Sequence, residues 1–199
     1  MYVAGCDVGS LSAKALIMQG DEVIASAVIF SKPDPAESAA EVMARALAQA
    51  GISQADISYC VGTGYGRERI PFADQVESEI TCHGRGAQFL MPEVRLVVDI
   101  GGQDAKAIRL DDSGNVVRFA YNDRCASGTG RFLEVMAGAL DIEIQEMGTL
   151  SAQSKNPVAI SNQCVVFAET EIISLINAGK DKADIVSGLH RSLANRVAA

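Results

Sequence analysis

Residues 6–17 read CDVGSLSAKALI and residues 98–109 read VDIGGQDAKAIR, so the second stretch repeats the residue types of the first. The aligned pairs are Asp7 with Asp99, Gly9 with Gly101, Ser12 with Asp104 and Lys14 with Lys106, always 92 positions apart because 99 minus 7 is 92. Each copy is an apolar strand pattern that reaches an aspartate and then turns through glycine. A repeat of this kind predicts two structurally related halves.

Each copy also continues in the same way, through a turn into a further strand. Gly20 and Asp21 precede the strand pattern of residues 22–30, and residues 112–115 (DSGN) precede that of residues 116–121. Asp, Ser, Gly and Asn tolerate the dihedral angles that tight turns require. Both copies are therefore predicted to open a β-meander.

Helix signals lie between and after the meanders. Asp34 and Pro35 are typical of an N-cap and a first helical residue, and Gly51 of a helix end. The apolar stripe between them consists of Ala39, Val42, Met43, Ala46, Leu47 and Ala50. Further elements are a strand at 57–61, part of a short helix at 84–90, and helices near 129–140, 144–154, 165–178 and 182–198. This order predicts an α/β fold with two lobes, residues 1–90 and 91–199.

The composition and charge of the chain argue against two classes of binding partner. The chain of 199 residues is 48% hydrophobic and 21% charged, with a formal net charge of -8 and no run rich in Lys or Arg. Nucleic acids and anionic membranes are bound by basic patches, so neither is expected as a partner. No apolar stretch approaches the roughly 20 residues of a membrane span, and the chain starts directly on a strand pattern. Five cysteines without CxxC spacing favour a reducing, cytoplasmic compartment.

The two Asp-Gly turns favour nucleotide binding. A strand that ends in Asp and turns through Gly lets backbone N–H groups approach an anion closely, since no Cβ intervenes. Asp7 and Asp99 are candidate Mg²⁺ ligands, directly or through water. Gln103 or Asp104 is the candidate for orienting the attacking water. The candidate phosphate-binding residues are Gly9, Ser10, Ser12, Lys14, Gly101, Gly102 and Lys106. The alternative is that these residues only form tight hairpins. The glycines of residues 62–66 (GTGYG) are interpreted as an ordinary loop.

Two cysteines each precede a helical pattern, Cys125 in NDRCASGTGRFLEVMA and Cys164 in ISNQCVVFAETEII. A thiolate at a helix N-terminus is stabilised by unpaired amides and the helix dipole. Two cysteines cannot complete a four-thiolate iron–sulfur site, whereas a two-fold dimer supplies four. The alternative is that both are ordinary buried cysteines. Cys6 and Cys60 are predicted to be core residues. A metal role for Cys82 beside His83 stays open, and His190 is predicted to be structural.

These motifs together resemble a known family. DVGSLSAK and DIGGQDAK resemble the two phosphate motifs of the actin/sugar kinase/70-kDa heat-shock ATPase superfamily, which places its first connecting helix at residues 79–86. The two cysteine segments and GxHRSLANRVA resemble the ATP-dependent activators of 2-hydroxyacyl-CoA dehydratases, to which benzoyl-CoA reductase ATPase subunits are related. The resemblance implies two lobes of the actin-like (ribonuclease H-like) ATPase fold. It also implies that the C-terminal part of the second lobe, which holds adenine and ribose, is missing after Ala199.

The resemblance also implies a function. A [4Fe-4S] cluster is expected at Cys125 and Cys164 of two subunits, and the second subunit is a second copy or a paralogue. Ferredoxin or flavodoxin is the expected electron donor, and a dehydratase or reductase component that acts on acyl-CoA is the expected acceptor. One alternative is a small-molecule kinase of the same superfamily, in which Asp104 activates a substrate hydroxyl. A second alternative is a non-enzymatic actin-like filament or regulator.

Overall fold

The computed structural model describes residues 1–122, 125–161 and 164–198, and the chain forms two compact units. The first unit consists of residues 1–97 and 108–119, and the second of residues 98–107 and 120–199. The predicted lobe boundary between residues 90 and 91 stays a prediction. Asp123, Arg124, Asn162 and Gln163, which belong to the two cysteine motifs, and Ala199 lie outside the described residues.

The fold is α/β, as predicted, and its strands and helices occur in runs along the chain. The strands are β1 (Tyr2–Val8), β2 (Ser12–Gln19), β3 (Glu22–Phe30), β4 (Ile57–Thr63), β5 (Gln75–Val76), β6 (Leu96–Ile100), β7 (Ala105–Leu110) and β8 (Val116–Asn122). The α-helices are α1 (Pro35–Ala50), α2 (Glu79–Leu90), α3 (Gly130–Leu140), α4 (Met147–Gln153), α5 (Val165–Asn177) and α6 (Lys182–Ala198). Single 3₁₀ turns are formed by Gln54–Asp56, Arg67–Arg69, Ala126–Gly128 and Ile144–Glu146.

The first unit is built on a five-stranded sheet with the order β3-β2-β1-β4-β5. β1 pairs antiparallel with β2, so that Asp7 lies opposite Lys14, and parallel with β4, so that Asp7 also lies beside Thr63. Because parallel strands end at the same edge of a sheet, the carboxyl ends of β1 and β4 meet. The first predicted turn therefore lies next to the glycine-rich loop that follows β4.

One face of this sheet is buried under α1. The residues of β1 alternate, so that Ala4, Cys6 and Val8 are buried. Asp34 caps α1 by accepting a hydrogen bond from the Ala36 amide at 2.9 Å, and Gly51 ends it with φ 68°, as predicted. The buried residues of α1 are Ser38, Ala39, Val42, Met43, Ala46 and Leu47. Burial raises the pKa of Cys6 to about 12, so this thiol stays protonated as a core residue.

The second meander forms a three-stranded sheet with the order β6-β7-β8. Within the second unit, helices α3 to α6 pack around their own apolar cluster. Its fully buried members are Phe132, Met136, Ala137, Leu140, Met147, Ala168, Ile172, Ile185, Val186 and Leu189. This helical core carries both Cys125 and Cys164 at its surface, where both side chains are exposed.

One predicted helix differs from the structure. The helix predicted over 144–154 is a 3₁₀ turn at Ile144–Glu146 followed by α4. The Glu146 side chain accepts a hydrogen bond from the Glu143 amide at 2.9 Å, which favours the tighter turn there. The helix predicted in part at 84–90, with residues 79–86 as the implied connecting helix, is α2. It begins at Glu79 because Ser78 caps it by accepting a hydrogen bond from the Ile80 amide. No helix of the described residues is long and apolar enough to cross a membrane.

Candidate functional site

The first Asp-Gly turn is closed by short-range hydrogen bonds. The Gly9 amide donates to the Ser12 carbonyl oxygen at 3.0 Å. The Lys14 ammonium lies 3.1 Å from Asp7 Oδ2 and also donates to the Ser12 carbonyl at 3.2 Å. A Cβ on Gly9 would lie 2.9 Å from the Ser12 carbonyl oxygen, so the turn requires glycine there. The carboxylate and the turn backbone are thus held together at the end of β1.

The second turn has the same geometry 92 residues later, where 101 minus 9 is 92. The Gly101 amide donates to the Asp104 carbonyl oxygen at 2.8 Å, and Lys106 Nζ lies 3.5 Å from Asp99 Oδ2. Each turn therefore carries one aspartate, one lysine and a glycine that closes the hairpin. The repeat seen in the sequence is also a repeat of local structure.

The two turns differ in how deeply the lysine is buried. The Lys14 and Asp7 side chains are 43% and 29% exposed, whereas the Lys106 side chain is 4% exposed. Lys106 donates to Asp104 Oδ2 at 2.7 Å and lies 5.2 Å from the centre of the Tyr121 ring. The Tyr121 hydroxyl donates to the same carboxylate oxygen at 3.1 Å. Asp104 is therefore committed to a buried ion pair.

Because of this difference in burial, we expect that removing Lys106 lowers the stability of the fold more than removing Lys14. Lys106→Met leaves the buried Asp104 carboxylate without its cation, so we expect a destabilisation of about 3–5 kcal/mol. Lys14→Met breaks an exposed pair, and we expect no more than about 1 kcal/mol. The shift of the urea midpoint at unchanged slope measures both. Equal shifts of the urea midpoint for the two variants would show that the buried ion pair stabilises the protein no more than the exposed one.

The glycine-rich loop of residues 62–66 packs directly against the first turn, which sequence reasoning missed. Gly64 has φ 89°, and a Cβ there would overlap Asp7 Oδ1 and lie 2.5 Å from the Val8 carbonyl oxygen. The Gly66 amide donates to that same carbonyl at 2.8 Å. Arg67 fixes the loop by donating to the Gly64 carbonyl at 3.2 Å and by pairing with Glu79 of α2 at 3.3 Å. The loop thus supports the Asp7 carboxylate.

We expect Gly64→Ala to be strongly destabilising and to impair nucleotide binding. The left-handed backbone alone costs an alanine about 1–2 kcal/mol, and its Cβ would also displace Asp7. Gly20→Ala is the matched control, because Gly20 has φ 61° with nothing within 4 Å of an added Cβ. Thermal unfolding and nucleotide titration of both variants separate the strain of the left-handed backbone from the displacement of Asp7. If both variants behave alike, the contact with Asp7 is unimportant.

The second turn is joined to the start of α3 by two backbone hydrogen bonds. The Gly130 amide donates to the Gly101 carbonyl at 2.8 Å, and the Arg131 amide donates to the Gly102 carbonyl at 3.0 Å. These are the first two amides of α3, which have no partner inside the helix itself. The turn is therefore connected to the chain segment that begins at Cys125.

The surroundings of Cys125 correct one prediction. Cys125 caps the 3₁₀ turn Ala126–Gly128 and does not start α3, whose first amides are bonded to the second turn. The pKa of Cys125 is lowered, as expected, but by the Ser127 hydroxyl and amide, with a further contribution from Arg196. The Ser127 Oγ lies 2.7 Å from Cys125 Sγ. The amide that stabilises the thiolate belongs to this 3₁₀ turn rather than to α3.

Cys164 is placed as predicted. It is the N-cap residue of α5, and its carbonyl accepts a hydrogen bond from the Ala168 amide at 2.8 Å. Both Cys125 and Cys164 are exposed free thiols, which excludes the alternative that they are ordinary core cysteines. Exposed thiols at the starts of a 3₁₀ turn and a helix fit a soft anionic metal cluster. Among the described residues, no group of three or more His, Cys, Asp or Glu side chains is arranged to hold a metal ion.

The remaining candidates separate into exposed and structural residues. Gln103 is exposed at the tip of the second turn, while Ser10, Ser12, Gly101 and Gly102 are partly exposed. Burial raises the pKa of the Cys82 thiol and lowers the pKa of His190. The described residues give Cys82 and His83 no third ligand. His190 is therefore neutral at pH 7, in agreement with a structural role.

Comparisons with known proteins agree with this geometry. Residues 4–199 match the BadF/BadG/BcrA/BcrD ATPase family. The chain is 45% identical to the activator of lactoyl-CoA dehydratase from Anaerotignum propionicum, over 98% of this chain and 76% of that protein. It resembles the structure of (R)-2-hydroxyglutaryl-CoA dehydratase component A from Acidaminococcus fermentans, with a TM-score of 0.95 at 42% identity, over 100% of this chain and 76% of that one.

A second solved structure, the activator of 2-hydroxyisocaproyl-CoA dehydratase from Clostridium difficile with bound ADPNP, also has a TM-score of 0.95. It is 43% identical, over 100% of this chain and 74% of that one. Matches of this extent and identity, together with the paired Asp-Gly turns, settle the relationship. The chain belongs to the BadF/BadG/BcrA/BcrD ATPase family.

Proposed function

We propose that this protein hydrolyses Mg-ATP to drive one-electron transfer to an enzyme component that acts on acyl-CoA substrates. That component is a 2-hydroxyacyl-CoA dehydratase, with a benzoyl-CoA reductase as the second candidate. The relatives named as dehydratase activators support the first choice. The electron donor is a ferredoxin or flavodoxin. The five free cysteines fit a cytoplasmic setting.

The observation that carries the proposal is the short connection between a phosphate turn and a cysteine segment. The Gly101 and Gly102 carbonyls accept hydrogen bonds from the Gly130 and Arg131 amides, and Cys125 lies five residues before Gly130 in the chain. If this turn moves when phosphate binds or leaves, the two hydrogen bonds transmit the movement to the Cys125 segment. The connection therefore links the second turn to an exposed thiol whose pKa is lowered.

At the phosphate turns, each residue type has a distinct task. Asp7 and Asp99 hold Mg²⁺, directly or through water, because hard cations take oxygen ligands. The turn amides, Ser10 and Ser12 bind phosphate oxygens, and Lys14 offsets their charge. Gln103 is exposed and orients the attacking water. Lys106 fixes Asp99 within the second turn, and Asp104 holds Lys106.

The commitment of Asp104 also argues against the kinase alternative. A base for a substrate hydroxyl must reach that hydroxyl within hydrogen-bond distance. The Asp104 side chain is only 8% exposed, and its Oδ2 already accepts from Lys106 and Tyr121. A soluble substrate therefore has poor access to this carboxylate. The ATPase reaction, with water as the acceptor, is favoured.

At the cysteine segments, Cys125 and Cys164 of two subunits supply four thiolates to a [4Fe-4S] cluster. The bound cluster would store and release a single electron at low potential. Ser127 and Arg196 favour the thiolate form of Cys125, which is the form that ligates iron. The exposed position of both thiols permits ligation by a dimer about a two-fold axis.

The test is performed on protein purified without oxygen. We expect the protein to hydrolyse ATP only in the presence of Mg²⁺. We also expect it to contain about four irons per dimer. We also expect ATP to change the rate at which a chelator removes that iron, because the second turn is connected to the Cys125 segment. Wild-type protein that hydrolyses ATP but contains no iron, or iron whose removal rate does not change with ATP, would contradict the proposal.

A further inference from the structure

The segment that leads to Cys164 is fastened to α6 by side-chain and backbone bonds. Asp184, in the first turn of α6, accepts three hydrogen bonds on Oδ1. The donors are the Ser154 hydroxyl at 2.8 Å, the Lys155 amide at 2.9 Å and the Asn156 amide at 2.8 Å. The Asp184 carbonyl accepts a fourth bond, from the Val158 amide at 3.1 Å. One residue of α6 therefore holds several successive backbone groups of an irregular segment.

One turn further along α6, Gly188 lets the same segment lie against the helix. A Cβ on Gly188 would overlap the Val158 carbonyl oxygen and lie 3.3 Å from Ile160 Cγ1. Gly188 is the glycine of the GxHRSLANRVA motif. Any larger residue would push the segment off α6, so this close approach explains why the motif begins with glycine.

A third attachment lies nearer to the cysteine. Glu171 of α5 accepts hydrogen bonds from the Ser161 amide at 3.0 Å and from the Ser161 hydroxyl at 2.8 Å. Ser161 is three residues before Cys164, and Glu171 is on the helix that Cys164 caps. The segment is therefore held to α6 at its start and to α5 at its end.

The opposite end of α6 approaches the other cysteine segment. A Cβ on Gly128, in the 3₁₀ turn that Cys125 caps, would lie 3.7 Å from Cδ of Arg196. Asn122 donates from Nδ2 to the Cys125 carbonyl at 3.2 Å. Gly128, Arg196, Val197 and Asn122 line one cavity of about 190 Å³ in the second unit. The Cys125 segment thus packs on the last turns of α6.

From these contacts we infer that α6 is the frame that positions both cysteine segments, with Asp184, Gly188 and Glu171 as positioning residues for Cys164. An α-helix is stiff and rises 1.5 Å per residue, so Asp184 and Arg196 are about 18 Å apart along one rigid element. Because the Cys125 and Cys164 segments are both attached to this one helix, they keep a fixed spacing and move together. This inference rests on the proposed function, in which the two cysteines bind one cluster.

The first experiment measures amide hydrogen exchange in the metal-free protein. Glu171→Ala removes the acceptor of the Ser161 amide, and we expect about tenfold faster exchange over residues 158–161. Glu171→Gln is the conservative variant, because its amide oxygen still accepts, and it is expected to restore most of the protection. Glu169→Ala is the matched control, on the same helix but exposed.

Gly188→Ala is the corresponding variant on α6, and we expect it to accelerate exchange over residues 154–160 by a similar factor. Gly138→Ala is its control, since Gly138 is in α3 with nothing within 4 Å of an added Cβ. Asp184→Ala, which removes the acceptor of the Lys155 and Asn156 amides, keeps the test of α6 decisive if Gly188→Ala does not fold. Unchanged exchange over residues 154–160 in Asp184→Ala and in a folded Gly188→Ala would overturn the inference for α6. Unchanged exchange over residues 158–161 in Glu171→Ala would overturn the positioning role of Glu171.

The second experiment follows iron in the reconstituted dimer. In Glu171→Ala and Gly188→Ala, we expect a chelator to remove iron several-fold faster than from wild type, with Glu169→Ala and Gly138→Ala unchanged. Equal rates in all variants would overturn the positioning role. If the wild-type protein binds no iron, the proposed function is wrong. The hydrogen-exchange experiment would still decide whether α6 and α5 hold the segment, because it is performed on the metal-free protein.

Discussion

Asp7→Asn and Asp99→Asn are each expected to reduce Mg²⁺-dependent ATP hydrolysis by about 10²–10³-fold, the usual cost of losing one charge-stabilising group at a reacting centre. Asparagine keeps the size of the side chain and one oxygen but loses the negative charge. Mg²⁺ takes few protein ligands and relies on carboxylates to offset its charge. The loss is therefore one of charge at an unchanged turn.

The turn geometry explains why the loss is local. The Gly9–Ser12 and Gly101–Asp104 hydrogen bonds involve backbone atoms only, so they remain in both variants. The iron content is expected to be unchanged, because Cys125 and Cys164 are in other segments. Iron per dimer is thus an internal control that the protein is folded and assembled.

Asp21→Asn and Asp112→Asn are the matched controls, since each removes a carboxylate from the next turn of the same meander. Asp112 pairs only with the exposed Arg95, at 3.0 Å, among the contacts of the described residues. Both controls are expected to hydrolyse ATP at the wild-type rate. Wild-type turnover in Asp7→Asn or Asp99→Asn would remove that residue from the site.

The sequence was sufficient to predict the elements that local signals define. β3 and α6 begin and end at the predicted residues, and α1 lies between its predicted caps. Strand alternation and helix caps depend on neighbours only a few residues apart. The repeat also predicted that the two turns are alike, because related segments with the same residues close the same hairpin.

Features that depend on distant parts of the chain were not predicted. Residues 62–66 were interpreted as an ordinary loop, yet Gly64 packs on Asp7, which is 57 positions earlier, since 64 minus 7 is 57. The signal was available in principle. A glycine cluster that follows a strand parallel to β1 ends at the same sheet edge as the first turn.

The interpretation of Cys125 had a similar cause. The apolar pattern after it correctly predicted α3, but the pattern does not show where the first amides of that helix point. They donate to Gly101 and Gly102, which are about 30 residues earlier in the chain. A 3₁₀ turn therefore separates the cysteine from the helix. The same tertiary contact gives the second turn its connection to the cysteine segment.

Cys125→Ser and Cys164→Ser are each expected to abolish the cluster completely, which is the largest effect predicted for any substitution in this protein. With two thiolates from each of two subunits, one substitution removes two of the four ligands. The serine hydroxyl is a hard, weakly acidic ligand and does not replace a thiolate on iron. Iron and sulfide analysis, with the thiolate-to-iron absorbance of anaerobically reconstituted protein, measures the result.

The fold is expected to survive both substitutions. Both side chains are exposed, and a serine at position 125 can still form a hydrogen bond with Ser127. Cys6→Ala and Cys60→Ala change buried core thiols, and Cys82→Ser changes a half-buried one. These three variants are the controls and are expected to keep their iron.

The cysteine variants also separate the ATPase reaction from electron transfer. Asp7 and Asp99 lie in turns that the substitutions do not touch, so Cys125→Ser and Cys164→Ser are expected to hydrolyse ATP within a few-fold of wild type while supporting no reduction of the acceptor. Loss of both activities together would mean that the cluster is needed to assemble the phosphate site. A full iron content in either variant would show that its cysteine is not a ligand, and the shared-cluster proposal would then be wrong.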